Sequence, residues 1–258
     1  MLAPNNHRIY TYSFLIGLFL FLTPSYAADK LKICHEASNY PPYIYQQDNQ
    51  AQGLLVDIIL SAAEALNIQI EFDAKPWNRC QKDVKTGRSH ALFAMIKTPK
   101  RANEYAFPLD EKNHLWTAKY PIFTSKKARF SLSNYTPDKG LGAPLGYVVW
   151  QKLKERGWLT PYQYTPEQGL KMVANGKLDG YVVERLIGLH LLHENQLSEQ
   201  IIHSEENLLD TIWYLPFNRS FYLNNQNLVT SLWSELGKTR THLEKQYQKT
   251  TLRKGKAD

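Results

Sequence analysis

GRSHALFAMIKTPKRANEYAFP, residues Gly87 to Pro108, reads as a turn, a short apolar strand from Ala91 to Ile96, and a tight break. The break, Lys97-Thr98-Pro99-Lys100-Arg101, leaves one guanidinium just past the end of the strand. In open α/β sheets, ligands sit outside the carboxyl ends of the strands. Arg101 therefore reads as facing such a crevice and pairing with an anionic group of a small ligand. A solvated surface arginine is the alternative that this stretch alone leaves open.

The same layout recurs further along. Val84 to Met95 lines up with Val173 to Glu184, and both read as a helix end, a glycine, a basic residue and then a buried strand. Glycine at that place suits the left-handed residue that commonly closes a helix. The second copy opens on Thr165-Pro166-Glu167, an N-cap followed by proline at the first helical position. The copies end differently, one reaching Arg101 beyond its strand and the other stopping at Glu184. A buried strand that ends on a carboxylate needs a partner for it.

Around these copies the chain alternates between strand and helix. Leu31 and Ile33 mark a first strand, ended by Ser38-Asn39-Tyr40-Pro41-Pro42-Tyr43, where two prolines forbid helix and predict an extended loop. Asp48 to Gly53 reads as a turn, and Leu54 to Leu66 as a helix with apolar residues at helical spacing. Ile68, Ile70 and Phe72 alternate like a half-buried strand, and Pro76-Trp77 opens a helix through Lys85. Leu115 to Thr124 and Thr211 to Phe217 read as extended segments, one leaving the first half and one returning. Helices are expected from Gly146 to Arg156, Leu186 to Leu192 and Leu228 to Tyr247. Strands alternating with helices of this length predict an α/β fold with a largely parallel sheet.

The amino terminus has the layout of a secretory leader. His7 and Arg8 precede the apolar run Phe14 to Leu22, and Ser25-Tyr26-Ala27 puts small residues at a cleavage site after Ala27. The run is shorter than the ~18 residues of a spanning helix, so residues 1–27 are expected to be removed on export. The two cysteines, Cys34 and Cys80, then read as one disulfide, two buried thiols being the alternative. They lack the neighbours of a metal site, and no cofactor motif is present. The net charge of +7 is spread along the chain, with a small basic tail at Arg253, Lys254 and Lys256. It accompanies no nucleic-acid motif, so no nucleic-acid partner is expected.

Taken together, Asn39-Tyr40-Pro41-Pro42-Tyr43, Gly53 to Ile58, Gly87 to Ile96 with Thr98 to Arg101, Tyr105 to Pro108, and Asp179 to Glu184 resemble a known family. It is the extracellular solute-binding proteins of family 3, the polar amino-acid type receptors of bacterial ABC importers. The resemblance implies a two-lobed, type II periplasmic-binding-protein-like α/β fold. Each lobe would be a mixed, mainly parallel sheet flanked by helices, and two hinge strands would join them. Lobe 1 would hold residues 28–117 and 216–258, and lobe 2 residues 118–215. It also implies a periplasmic monomer that captures a small polar solute for an ABC permease in the inner membrane, without catalysis and without cofactor or metal. Tyr40 and Trp77 would wall the ligand, Arg101 would bind its carboxylate, and Glu184 would stand where amino-acid binders keep an aspartate for the ammonium. Cys34 and Cys80 would be neighbours behind the cleft.

Departures from the family pattern matter as much. Where amino-acid binders place small hydroxyl residues, this chain has Phe93, Ala94 and Ile96, and Gly146-Tyr147-Val148-Val149 in the other lobe. Ile96 and Val148 thus give an apolar lining, suited to a more apolar solute or one with a single acid group. Two other functions keep the same fold: a cyclohexadienyl dehydratase-like enzyme with Glu184 as general acid, and a ligand-sensing partner of a membrane receptor.

Overall fold

The computed structural model describes residues 30–128 and 130–254, with side chains through Leu243. The expected leader and Lys256 lie outside the described residues, as do the side chains of Arg253 and Lys254. Two five-stranded sheets organise the chain into two lobes.

The first sheet is built around β1 (Leu31–Glu36), which pairs in parallel with β4 (Ile70–Lys75) on one side and β5 (Ala91–Leu92) on the other. β12 (Phe217–Asn218) and β7 (Tyr105–Ala106) complete it, with β12 antiparallel to both its neighbours. A hairpin of β2 (Tyr45–Gln47) and β3 (Gln50–Gln52) leads into α1 (Leu54–Glu64). Leu55, Ile58, Ile59, Ala62 and Ala63 form the apolar stripe of α1, and all are buried. Full burial of each large aliphatic residue contributes about 1.5–3 kcal/mol. The stripe packs on the C-terminal helix, α8 (Gln226–Lys254), whose buried residues Val229, Leu232, Trp233 and Leu236 recur at helical spacing. Gly53 before α1 has φ +120°, and a Cβ there would lie 2.6 Å from the Tyr43 carbonyl oxygen, so only glycine lets the helix start against this turn.

The second sheet centres on two long strands, β8 (Trp116–Ser125) and β11 (Ile201–Tyr214), which run antiparallel from Trp116 opposite Trp213 to Ser125 opposite Ile201. β10 (Gly180–Val182) lies against β8, and β9 (Leu141–Gly142) pairs with β10 in parallel. Among its named strands only β9 and β10 pair in parallel, because the crossing strands must run in opposite directions. The expected helices are α2 (Trp77–Lys85), α4 (Val148–Glu155), α5 (Pro166–Ala174) and α6 (Arg185–Glu194). Two short helices, α3 (Pro99–Glu104) and α7 (Arg219–Asn224), complete the set.

The internal repeat is real. Gly87 and Gly176 both close a helix with positive φ, 78° and 65°, and each leads to a strand of its own sheet. α5 carries the capping box expected of Thr165, whose hydroxyl takes the Gln168 N–H while the Gln168 side chain takes the Thr165 N–H. The equivalent residues His90 and Asp179 each bind backbone N–H groups beside the strand start. Asp179 Oδ2 accepts from the Tyr135 hydroxyl at 2.8 Å and from the N–H groups of Asp138, Lys139 and Gly140 at 2.9 Å. Burial opposes its ionisation, but these four donors outweigh it and hold the carboxyl below its ordinary value. Asp179→Ala is expected to cost about 1.5–3 kcal/mol, and urea unfolding of the two proteins at pH 7 measures it.

Three expectations need correction. Ala91 to Ile96 is two strands: β5 stays in the first sheet, while β6 (Met95–Ile96) joins the end of β11. The chain turns at Ala94, whose φ of 66° breaks the extended run. Ser38 to Tyr43 is not extended throughout: Pro41 to Tyr43 form a tight turn, closed by a bridge between Tyr40 and Ile44 and containing a cis Pro41–Pro42 bond. The returning strand begins at Ile201, ten residues before Thr211, and ends at Tyr214, with Phe217 already in the first sheet.

Candidate functional site

A largely enclosed cavity of about 50 Å³ lies between the lobes. Tyr40, Trp77, Ile96, Arg101, Val148 and Glu184, the residues singled out in the sequence, all line it. Cys34 and Cys80 are bonded behind it, with Cα atoms 5.4 Å apart, tying β1 to α2 and so fixing the helix that begins with Trp77.

Each polar group is placed by a local device. Arg101 is the third residue of α3, whose N-cap Thr98 accepts the Arg101 N–H at 3.2 Å, with Pro99 at the first position. Its guanidinium folds back toward the sheets: Nη1 donates to the Ile96 carbonyl at 3.0 Å and Nη2 to the Gly146 carbonyl of the second lobe at 3.3 Å. It lies 5.8 Å from the Trp77 ring centroid, within cation–π range. Burial draws its pKa down, yet a guanidinium stays charged in proteins.

Glu184 ends the strand segment after β10 and caps α6. Its Oε2 accepts the N–H groups of Leu186 at 2.8 Å and Ile187 at 3.2 Å. The helix N-terminus thus supplies part of what a buried carboxylate needs. The Tyr43 hydroxyl, from the first lobe, lies near enough to favour its charged form, and Trp116 Nε1–H donates to the Tyr43 oxygen at 2.9 Å. Glu184 is 3% exposed, and burial pushes its carboxyl up to about 7 despite these bonds.

Sequence reasoning missed Glu36, Tyr43, Tyr120 and Tyr147, all of which line the cavity. Glu36 is the last residue of β1, and its Oε2 accepts the Trp77 N–H at 3.2 Å, so a glutamate caps α2 as another caps α6. Burial raises its carboxyl. The strand-end rule that picked out Arg101 applies equally to Glu36 and would have found it. Tyr147 faces Tyr40 across the lobes and packs on Trp77 with centroids 5.5 Å apart. Tyr120, in the middle of β8, accepts from Trp213 Nε1 at 2.9 Å. Phe93, Ile96, Val148 and Ile187 supply apolar wall.

The lobes therefore meet through the Arg101 bond to Gly146 and the Trp77–Tyr147 ring contact, with Tyr40 and Tyr43 facing the second lobe, which is a closed arrangement. One guanidinium and two carboxylates share its lining with aromatic rings, a set suited to a small charged organic molecule. Among the described residues, no group of three or more His, Cys, Asp or Glu side chains is placed to hold a metal ion. No helix among them is long and apolar enough to cross a membrane.

Comparison with known proteins gives the same picture. The model of the bacterial extracellular solute-binding proteins, family 3, matches residues 31–179. No curated protein matches the chain by sequence. Among solved structures, it is similar to the ancestral amino acid-binding protein AncCDT-1, described as a precursor of cyclohexadienyl dehydratase. That match has 18% identity and a TM-score of 0.67, covering 84% of this chain and 94% of the other. A histidine kinase sensor domain with similarity to periplasmic binding proteins matches at 20% identity and TM-score 0.66, over 88% and 95% of the two chains. The arginine-, lysine-, histidine-binding protein ArtJ from Geobacillus stearothermophilus matches at 13% and 0.66, over 88% and 94%. At these identities the likeness is one of fold.

Proposed function

This chain belongs to the bacterial extracellular solute-binding proteins of family 3, and on that footing we propose that it captures a small polar organic solute between its lobes. The solute is an amino acid or a related carboxylate or amine, taken up in the periplasm and handed to an ABC permease in the inner membrane. The carrying observation is the enclosed cavity lined from both lobes, with Arg101 bonded to carbonyls on each side of it. A guanidinium so held keeps further N–H groups for a carboxylate, which its fork bonds bidentately. Residues 28–117 and 216–258 act as one lobe, residues 118–215 as the other, and β8 and β11 as the hinge; the chain works as an exported monomer. Tyr40, Trp77, Ile96 and Val148 wall the solute.

Binding only to the folded form raises stability by RT ln(1 + [L]/Kd). A thermal-shift screen of amino acids, amines, short peptides and carboxylates is therefore expected to give a rise in Tm for some of them. Arg101→Ala is expected to weaken a carboxylate-bearing hit on the order of a hundredfold, the loss of two charge-assisted hydrogen bonds. Titration calorimetry measures it, and equal affinity in the variant removes Arg101 from the binding role.

One observation favours a second reading. A buried Glu184 that titrates at about 7 has the poise of a general acid, as a cyclohexadienyl dehydratase-like lyase needs. Prephenate or arogenate incubated with the protein separates the two: aromatic product supports the enzyme, and its absence leaves the binder.

A further inference from the structure

Buried indole N–H groups in this fold find partners, with one exception among the described residues. Trp116 donates to the Tyr43 hydroxyl and Trp213 to the Tyr120 hydroxyl, both at 2.9 Å, and Trp233 donates to the Leu215 carbonyl at 2.7 Å. Trp77 is only 8% exposed, yet its Nε1–H is buried with no hydrogen-bond partner. Such a donor is costly to leave unpaired, and a buried indole ordinarily avoids it. Ser89 Oγ and Thr160 Oγ1 are also buried without partners, but neither residue lines the central cavity, and Trp77 does.

The edge of the ring that carries this N–H faces the corner where the guanidinium is held. Trp77 Cδ1, the ring atom bonded to Nε1, lies 3.5 Å from where a Cβ on Gly146 would stand. Gly146 is also the residue whose carbonyl accepts Arg101 Nη2 at 3.3 Å, and the guanidinium lies 5.8 Å from the Trp77 ring centroid. Indole and guanidinium thus converge on one corner of the cavity. That part of the lining is otherwise poor in donors, because Phe93, Ala94, Ile96 and Val148 carry none in their side chains. A carboxylate has about four lone-pair sites, of which one arginine fork fills two. An indole N–H can only donate, so the group that completes it must be an acceptor.

Building on the solute-binding function, we propose that the Trp77 Nε1–H donates a hydrogen bond to the solute carboxylate held by Arg101, standing in for the hydroxyl donors this chain lacks. Trp77 is then a specificity residue as well as a wall. It favours a carboxylate over a carboxamide at this end of the solute, since an amide turns an NH₂ group toward one of the two donors. The ring is held for this task by the Glu36 carboxylate, which accepts the Trp77 backbone N–H at 3.2 Å, and by the Cys34–Cys80 bond on the same helix.

Two measurements test this, with sodium acetate, L-leucine and L-phenylalanine as probes, together with every carboxylate that raises Tm in the wider screen. In the first, NMR follows the indole N–H resonances as a probe is added at constant ionic strength, Trp77 being the signal that Trp77→Phe loses. Each carboxylate that binds is expected to move this resonance saturably downfield, the direction of a newly formed hydrogen bond. Acetamide, the neutral isostere of acetate, is expected to leave it in place. In the second, calorimetry compares wild type with protein carrying the benzothienyl analogue of tryptophan at position 77, which keeps the ring shape and has sulfur in place of N–H. The analogue is expected to bind each carboxylate about tenfold to a hundredfold more weakly, the value of one hydrogen bond to a charged group. Unchanged affinity in the analogue, a bound carboxylate that leaves the resonance still, or equal movement with acetamide overturns the assignment and leaves solute capture standing. So does a protein that binds only solutes without a carboxylate. No binding of the probes and no hit in the wider screen overturns both. Should Trp77→Phe fail to fold, the benzothienyl protein identifies the resonance.

Discussion

Replacing Cys34 and Cys80 together with alanine is expected to lower the free energy of unfolding by roughly 4 kcal/mol on the chain-entropy account of disulfides. The bond closes a loop with a sequence separation of 46, so the unfolded chain regains much freedom when it is removed. Both residues are fully buried, and the pair joins the strand that ends in Glu36 to the helix that begins at Trp77. The alanine pair also leaves a small void, which adds to the loss. Urea unfolding of the oxidised wild type and the double variant measures the difference. A change below about 1 kcal/mol would show that the loop is already ordered in the unfolded ensemble.

The second large effect is a pH dependence carried by Glu184. Its carboxyl lies at about 7 in the fold against an ordinary 4.5, chiefly because burial disfavours the charge. An acid whose folded pKa is raised stabilises the fold fully below its unfolded pKa, and that stability is lost as pH rises through the folded value. The window therefore runs from about pH 4.5 to about pH 7, and the loss across it is about 3 kcal/mol. Glu184→Gln cannot ionise and removes this slope. Unfolding free energies of wild type and variant, taken at several pH values from 4.5 to 8, are expected to converge at the acid end and favour the variant progressively toward the alkaline end, apart from a constant offset. Parallel curves would place the titration elsewhere.

Much of this architecture was legible because its signals are local. The α1 stripe from Leu55 to Ala63, the Thr165 cap and the paired glycines Gly87 and Gly176 follow from periodicity and dihedral preference, and the structure realises them. The two crossing strands were legible at their apolar ends. The start of β11 was not, because His203 to Asn207 is polar, half-buried or exposed throughout, and shows no alternation with a buried face. The break at Ala94 was also hidden. Alanine rarely adopts positive φ, so only the competing pull of two sheets reveals it. In the site, Arg101 and Glu184 stood out as charges at strand ends. Tyr43 and Tyr120 did not, since their hydroxyls find partners 73 and 93 residues away in sequence, and no local pattern encodes such a distance.

The corner at Ala94 also bears on how this protein can change. That residue lines the cavity while its backbone sits at φ 66° between a strand of each sheet. A larger side chain there would add contact with a solute, but every residue except glycine, and to a lesser degree asparagine or aspartate, is disfavoured in that conformation. This position in the cleft wall is therefore poorly open to redecoration. Adaptation to new solutes at this height of the cleft is channelled to the facing side, where half-buried Val148 rides on an ordinary helix with no such constraint on its backbone.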